Sequence, residues 1–559
     1  MSRMPARRSM LAVPWLLAIL LSSSLPVSAG PAADTRASTA TGPTRAIDRS
    51  VDAVTPAAAT NEFPAGWQGF HTYAEMTSRV KAIADAHPAI VKRFSIGKSY
   101  QGRELWAVKV SDNVNVDENE PEVLFDGLHH AREHMSLEMT LAIYTWLVGG
   151  YGKDSEITRL VNTREIWIVF AVNPDGAEYD ISGGKFHLWR KNRQPTPNSS
   201  YIGTDLNRNY DYHWGCCAGS SANPANLMYR GWKPFSAPET RAMRDFINSR
   251  VVGGRQQIRA AITFHTSGRL VMWPYGYTYA NIPEDMTGAD HSAFVALGKA
   301  MANRNNYKPE QASDLYISAG TTRDWEYGRH RIFAFTIELT VGWYPDDSTI
   351  GPETRLNKSA ALYLISKAWC PYAALASPAR FCGPLYDDFE AYKGWKVNPD
   401  GTDTATSGRW QRGNPGATSS NGPKQLGTTA SGRYDLVTGA AATSGNDLDG
   451  LSTARSPDFS LAAGQPYKLY FRSTFAHSSA SSSADYFRIR IVADDSTSAV
   501  LYVHHGSATD VDGKWVSRSL AIPSAFEGKK AHLLIEAADL ANDNLIEVAV
   551  DDVSVMKAS

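Results

Sequence analysis

Beyond its first thirty residues the chain contains no apolar run approaching the roughly 18 residues that a membrane span requires. Its four cysteines include no C-x-x-C pair, which argues against thiol redox catalysis. Lys and Arg total 56 against 57 Asp and Glu, a net charge of -1, so the basic stripe of a nucleic-acid binder is missing. No phosphate-cradling glycine loop and no G-x-S-x-G elbow is present either. What the sequence does offer is histidine and carboxylate placed at the ends of apolar runs.

The run Val123-Leu124-Phe125-Asp126-Gly127-Leu128 has the character of a buried strand and leads into His129-His130-Ala131-Arg132-Glu133. Of the 14 histidines only His130 has a glutamate three positions on, a spacing that is weak evidence alone. Two further apolar runs also end in ligand or acid chemistry, Ala260 to His265 and Ile332 to Glu338. Three strands would therefore deliver His130, Glu133, His265 and Glu338 to their C-terminal edge, where open α/β sheets bind ligands. Two histidines and a glutamate make a catalytic zinc set that leaves a position for water. The competing explanation is strand-end histidines bonded to backbone, with Glu133 favouring a helix start. Glu338 closes an almost wholly apolar run, so its carboxylate must be paired, metal-linked or shifted in pKa.

With His130-Ala131-Arg132-Glu133, Leu188-Trp189-Arg190-Lys191, Asp205-Leu206-Asn207-Arg208-Asn209, His265, Tyr316 and Thr336-Ile337-Glu338-Leu339 in this order, the chain resembles the zinc carboxypeptidases of the funnelin type. This is the family of pancreatic carboxypeptidases A and B, and the likeness spans roughly Trp67 to Ala374. It implies zinc on His130, Glu133 and His265, Glu338 as general base, and Arg190 as the group that stabilises the oxyanion. It further implies a clamp for the substrate's terminal carboxylate from Asn207, Arg208 and Tyr316, with Arg132 also at the substrate. Asp205 would fix the tautomer of His130, although an Asx turn also explains an aspartate there. His129 and His134 are read as structural.

Arg323, two positions before Trp325, stands where the resemblance puts the base of the side-chain pocket, with Gly276 and Ser318 as small neighbours. Charge complementarity then predicts a preference for C-terminal Glu or Asp. The alternative is that Arg323 pairs with Asp324 or Glu326, or turns outward.

At the N-terminus, Arg3, Arg7 and Arg8 precede an apolar segment and the small residues Val27-Ser28-Ala29, the pattern of a signal peptide over residues 1–29. Sec and twin-arginine export both remain open. Residues 30–66, rich in Ala, Thr and Pro, read as a flexible leader, 67–374 as the catalytic domain and 375–385 as a linker. Short alternating runs from 386 to 559 predict an accessory β-sandwich. The expected fold is therefore α/β, a mixed twisted sheet with helices on both faces, followed by an all-β jelly-roll-like sandwich. Trp410, Tyr434 and Trp515 could stack on a carbohydrate or belong to the core. Asp387, Asp388 and Glu390 facing Asp551 and Asp552 could hold a structural Ca2+ or form a solvated acidic edge. Cysteines 216, 217, 370 and 382 should be oxidised outside the cell, with all three pairings open.

Taken together, the residues and the resemblance predict a secreted zinc metallocarboxypeptidase acting on peptide and protein C-termini, its sandwich binding carbohydrate or protein. One rival is a zinc amidase of the same fold acting on cell-wall peptides, which the clamp residues disfavour. The other is a surface-binding protein with a vestigial enzyme domain, which a full set of ligands and base disfavours.

Overall fold

The computed structural model describes residues 62–441, 447–540 and 544–558. The expected signal peptide and all but the end of the leader lie outside the described residues.

Eight strands form the first sheet: β1 (Val91–Lys98), β2 (Glu104–Val110), β3 (Glu122–Gly127), β4 (Glu165–Val169), β5 (Ile258–Thr266), β6 (Leu270–Trp273), β7 (Lys308–Gln311) and β8 (Phe333–Leu339). Their order is β1-β2-β4-β3-β5-β8-β6-β7. The central four, β4, β3, β5 and β8, run parallel, β1 and β2 pair antiparallel with their neighbours, and β6 is antiparallel to β8 but parallel to the edge strand β7. Every residue of β3 and β4 is buried, which requires cover on both faces of the sheet. Helices α1 (Tyr73–Ala86) and α3 (Pro238–Ser249) pack on β1, and α2 (Met135–Gly150) packs on β3 and β5. Val123, Leu124 and Phe125 are each wholly enclosed, and such burial contributes about 1.5–3 kcal/mol per side chain.

Helix starts follow local chemistry. Thr72 and Glu75 cap α1 reciprocally, Thr72 Oγ1 accepting from the Glu75 amide and the Glu75 carboxylate accepting from the Thr72 amide. Order begins earlier than Trp67, because Phe63 is already buried against Phe70, His134 and Phe186.

From Leu385 onward the chain is β-structured. One six-stranded antiparallel sheet contains β9 (Leu385–Asp387), β10 (Trp410–Gly413), β11 (Asp435–Thr438), β13 (Tyr467–His477), β16 (Val516–Ala521) and β18 (Ile546–Lys557). A second is built on β12 (Gly450–Arg455), β14 (Tyr486–Ala493), β15 (Ser498–His505) and β17 (Lys530–Asp539), with two short strands added. The alternation is plain in β14, whose Phe487, Ile489, Ile491 and Ala493 are buried and whose intervening residues are not. Trp410 is core, 2% exposed, with its indole N–H donated to Ser452 O. Its sugar-stacking alternative is thereby removed.

Residues 375–385 are tied down along much of their length. Cys370–Cys382 closes a disulfide across them, Phe381 stacks on Tyr372 at 4.8 Å, and Leu385 already belongs to β9. The other disulfide joins the adjacent Cys216 and Cys217.

Candidate metal centre and active site

Leu128, the residue after β3, adopts the left-handed region at φ 62°, which swings the following residues over the sheet edge. Gly127 precedes it under equal constraint, since a Cβ there would lie 2.6 Å from Ser136 O. In adjacent parallel strands, His265 of β5 is in register with Glu338 of β8. The loop carrying His130 is held to the Arg190 segment by the Ala131 amide, which donates to Arg190 O at 3.1 Å.

His130, Glu133 and His265 are buried, with one ligand atom from each within 4.8 Å of the others. His130 Nδ1 is 2.8 Å from Glu133 Oε1, His265 Nδ1 is 2.9 Å from Glu133 Oε2, and the two Nδ1 atoms are 3.1 Å apart. Ligand atoms at ~2.0–2.1 Å from a tetrahedral zinc sit roughly 3.3 Å from one another, so the cluster fits that ion with little adjustment. Two imidazole nitrogens turned toward each other beside a carboxylate are themselves the signature of a cation site. Burial, partly offset by Glu133, lowers His265 to about 4, so the ring is neutral as a ligand must be. Glu133 stays ionised despite its burial because His130 and His265 favour the charged form.

A buried shell orients these ligands. Asp205 Oδ1 lies 3.2 Å from His130 Nε2 and accepts the Asn207 amide at 3.0 Å, while Oδ2 accepts Arg190 Nε at 2.9 Å. The aspartate is thus an Asx cap and a histidine partner at once. Burial opposes its charge, but Arg190, His130 and Arg208 hold its pKa well below the ordinary value. Arg190 is raised in turn: burial disfavours its charge, and Asp205, Tyr316 and Glu133 together more than compensate. Asn207 Nδ2 lies 3.3 Å from His265 Nε2, and its Oδ1 accepts the Thr322 amide at 2.9 Å.

Arg208 is 1% exposed, donates Nη2 to the Tyr316 hydroxyl at 3.3 Å and Nη1 to Asn207 O, and leaves Nε without a partner. Tyr316 itself is exposed. A buried guanidinium with a spare donor beside an exposed tyrosine hydroxyl suits an anionic ligand. Arg132 lies 3.7 Å over the Trp343 ring with Nε likewise unpartnered. Burial, reinforced by the nearby charge of Arg190, lowers its pKa.

Glu338 is partly exposed, and its pKa is pushed well up by burial and then by the charge of Glu133, against the pull of Arg190, Arg323 and Arg208. Arg323 takes the paired alternative: Nε and Nη2 donate to Asp324 Oδ1 at 3.1 and 3.0 Å, and Nη1 donates to Thr336 Oγ1 at 3.0 Å. Its Nη2 nevertheless lies beside Gly276. A Cβ on Gly276 would meet Ser318 Oγ at 2.4 Å and Arg323 Nη2 at 2.7 Å.

Some contributors escape sequence reasoning. The His129 ring stacks on His265 at 5.7 Å, with Nε2 2.9 Å from the Tyr210 hydroxyl and Nδ1 3.2 Å from Asp126. Trp343 sits in a sequence context that carries no chemical signature. His134 bonds Asp180 at 3.0 Å and packs against Phe63, in keeping with a structural part.

The acidic groups at the sandwich strands do not support a calcium ion. Lys393 lies 3.4 Å from Asp387 and 3.1 Å from Asp388, Arg331 lies 2.9 Å from Glu390, and Arg380 and Arg472 lie 3.0 and 3.3 Å from Asp552. Protein cations already pair with four of the five carboxylates a calcium would need. Among the described residues, the convergent all-carboxylate groups lie elsewhere, at Asp112, Glu118 and Glu120 and at Asp117, Glu122 and Glu165.

Comparison with known proteins gives a consistent result. The sequence profile of the zinc carboxypeptidases matches residues 76–360. A zinc carboxypeptidase of Saccharothrix mutabilis subsp. capreolus is 45% identical over 57% of this chain and 74% of its own length. Mast cell carboxypeptidase A of Rattus norvegicus is 33% identical over 53% of this chain and 73% of its own. The crystal structure of thrombin activatable fibrinolysis inhibitor is 28% identical over 54% of this chain and 74% of that one, with a TM-score of 0.48. On the profile match and the two sequence relatives, the chain belongs to the zinc carboxypeptidase family and is a zinc-dependent metallocarboxypeptidase.

Proposed function

We propose that the protein acts outside the cell, removing C-terminal residues from peptides and proteins with a preference for Glu and Asp. The observation that best supports an exopeptidase is Arg208, enclosed beside Tyr316 with an unused donor, close to the His-Glu-His cluster. Arg208, Tyr316 and Asn207 clamp the terminal carboxylate and so set the last peptide bond at the reacting centre. His130, Glu133 and His265 would hold a zinc ion, which would supply Lewis acidity toward water and the scissile carbonyl. Glu338 takes the proton from the attacking water and passes it to the leaving amine, a task suited to a carboxylate with a raised pKa. Arg190, fixed by Asp205, offers its guanidinium to the developing oxyanion, and Arg132 lines the approach of the substrate chain.

The acidic preference is assigned to Arg323. Three of its five donors are engaged, leaving two N–H groups beside Gly276 and Ser318 for an incoming side-chain carboxylate. Asp324 offsets part of its charge, so the selectivity should be graded rather than absolute. Two disulfides accord with an oxidising compartment. Residues 67–374 are assigned to catalysis, 375–385 to the connection, and 386–559 to an accessory module binding carbohydrate or protein through surfaces other than Trp410.

A peptide mixture covering every C-terminal residue tests this reading. Release led by Glu and Asp supports it; release led by Phe or Leu removes Arg323 as selector; no release from any peptide removes the exopeptidase assignment.

A further inference from the structure

The N-terminal end of β5 carries charge that nothing in the proposed reaction uses. Arg259, the second residue of β5, and Arg255, in the hairpin just before it, line a cavity of ≈ 230 Å³. Trp369, Tyr386, Tyr392 and Lys393 also line it. The hairpin is pressed close, since a Cβ on Gly254 would lie 2.5 Å from the Tyr392 ring.

Neither guanidinium has a hydrogen-bond or ion-pair partner among the described residues, whereas Arg331, Arg380 and Lys393 nearby are each paired with a carboxylate. The acids in the cavity are committed elsewhere: Asp290 accepts from the hydroxyls of Tyr327 and Tyr372, and Asp388 from Lys393. Arg259 bears the consequence, its pKa lowered to about 9 by burial and then by the like charge of Arg255. Asp387 favours the charge of Arg255 and Glu122 that of Arg259, but neither acid forms an ion pair with them, so the two like charges held together remain expensive unless a ligand supplies further counter-charge. The space exceeds the ~10–15 Å³ one water needs and falls below the ~300–1,000 Å³ of drug-sized ligands, which selects a small hydrated ion. Two guanidinium forks match an oxyanion with several acceptor oxygens.

We propose that this cavity binds a small dianionic oxyanion of the phosphate or sulfate type, gripped by Arg255 and Arg259. It is a site apart from the metal cleft, since six residues of β5 at ~3.3 Å each place Arg259 roughly 20 Å from His265. The same group could arrive as a free ion or attached to a polymer.

The test uses the zinc-loaded enzyme with its cleft filled by a saturating dipeptide product, so that Arg190 and Arg208 cannot answer. Inorganic phosphate is titrated against sodium chloride at matched ionic strength, read by 31P line broadening and by Tm. Saturable binding with a rise in Tm is expected, weakened at least tenfold in Arg259→Gln and in Arg255→Gln, with peptide hydrolysis unchanged. Arg255 is exposed, so that variant keeps the fold intact. Competition by heparin that is lost in the same variants identifies a polymer-borne group; phosphate binding indifferent to heparin identifies the free ion. Phosphate acting no differently from chloride, or equally on wild type and both variants, overturns the proposal.

Discussion

Replacing Arg208 by glutamine removes the one buried guanidinium poised to receive a terminal carboxylate while keeping a side chain of similar reach. The loss is two charge-assisted hydrogen bonds, each contributing about 1.5–3 kcal/mol, and a substrate carboxylate left without its partner. A net loss of about 3–5 kcal/mol in transition-state binding corresponds to a fall of about 10²–10⁴-fold in kcat/KM. Because the Tyr316 hydroxyl and the Asn207 carbonyl are its present acceptors, neither the metal ligands nor Glu338 loses a bond. The assay compares a peptide with its C-terminal amide, which share the scissile bond and differ only in the terminal charge. Wild type should strongly prefer the free acid, and Arg208→Gln should lose that preference with little change toward the amide. Tm and bound zinc should stay near wild type. A variant that still prefers the acid by the wild-type factor refutes the clamp.

Arg323→Asp should reverse the preference from acidic toward basic C-terminal residues, read as the ratio of kcat/KM values on matched peptides; an unchanged ratio removes Arg323 as selector. Glu338→Gln should lower kcat by about 10²–10⁴-fold with zinc still bound, the usual contribution of a general base, and activity within tenfold of wild type would exclude that role. Asp435 of β11 is enclosed, with both carboxylate oxygens unpaired, and burial followed by the charge of Glu390 pushes its pKa up to about 8. A carboxyl raised in the folded state holds its proton more tightly than the unfolded chain does, so its contribution to stability falls as pH rises from about 4 to 8. Asp435→Asn should therefore flatten that decline, stabilising the protein by up to several kcal/mol at pH 8 and little at pH 4; urea unfolding at the two pH values measures it.

The chemistry was legible where it is carried by short motifs at the ends of apolar strands. His130 and Glu133 share one turn, and the runs before His265 and Glu338 announce buried parallel strands, so the sheet edge could be anticipated. What the sequence withheld depends on contacts between distant segments. Asn207 reaches His265 across 58 positions, and His129 reaches Tyr210 across 81. The pairing of Arg323 with Asp324 was visible only as one of two fates, because adjacent residues meet or diverge according to the rotamer that Thr336 and Gly276 allow. In the sandwich, alternation revealed strands but not their partners: β18 pairs with β9, β11 and β13, which lie far apart in the chain. The acidic ends suggested calcium for the same reason, since the arginines that neutralise them come from other segments.

The most direct test of the account is zinc content measured alongside C-terminal release, before chelation, after it, and after zinc is restored. One zinc per chain, activity lost and regained with it, and neither zinc nor activity in His265→Ala is the predicted result. Release that persists in the metal-free protein, or a full zinc complement in the variant, would contradict it.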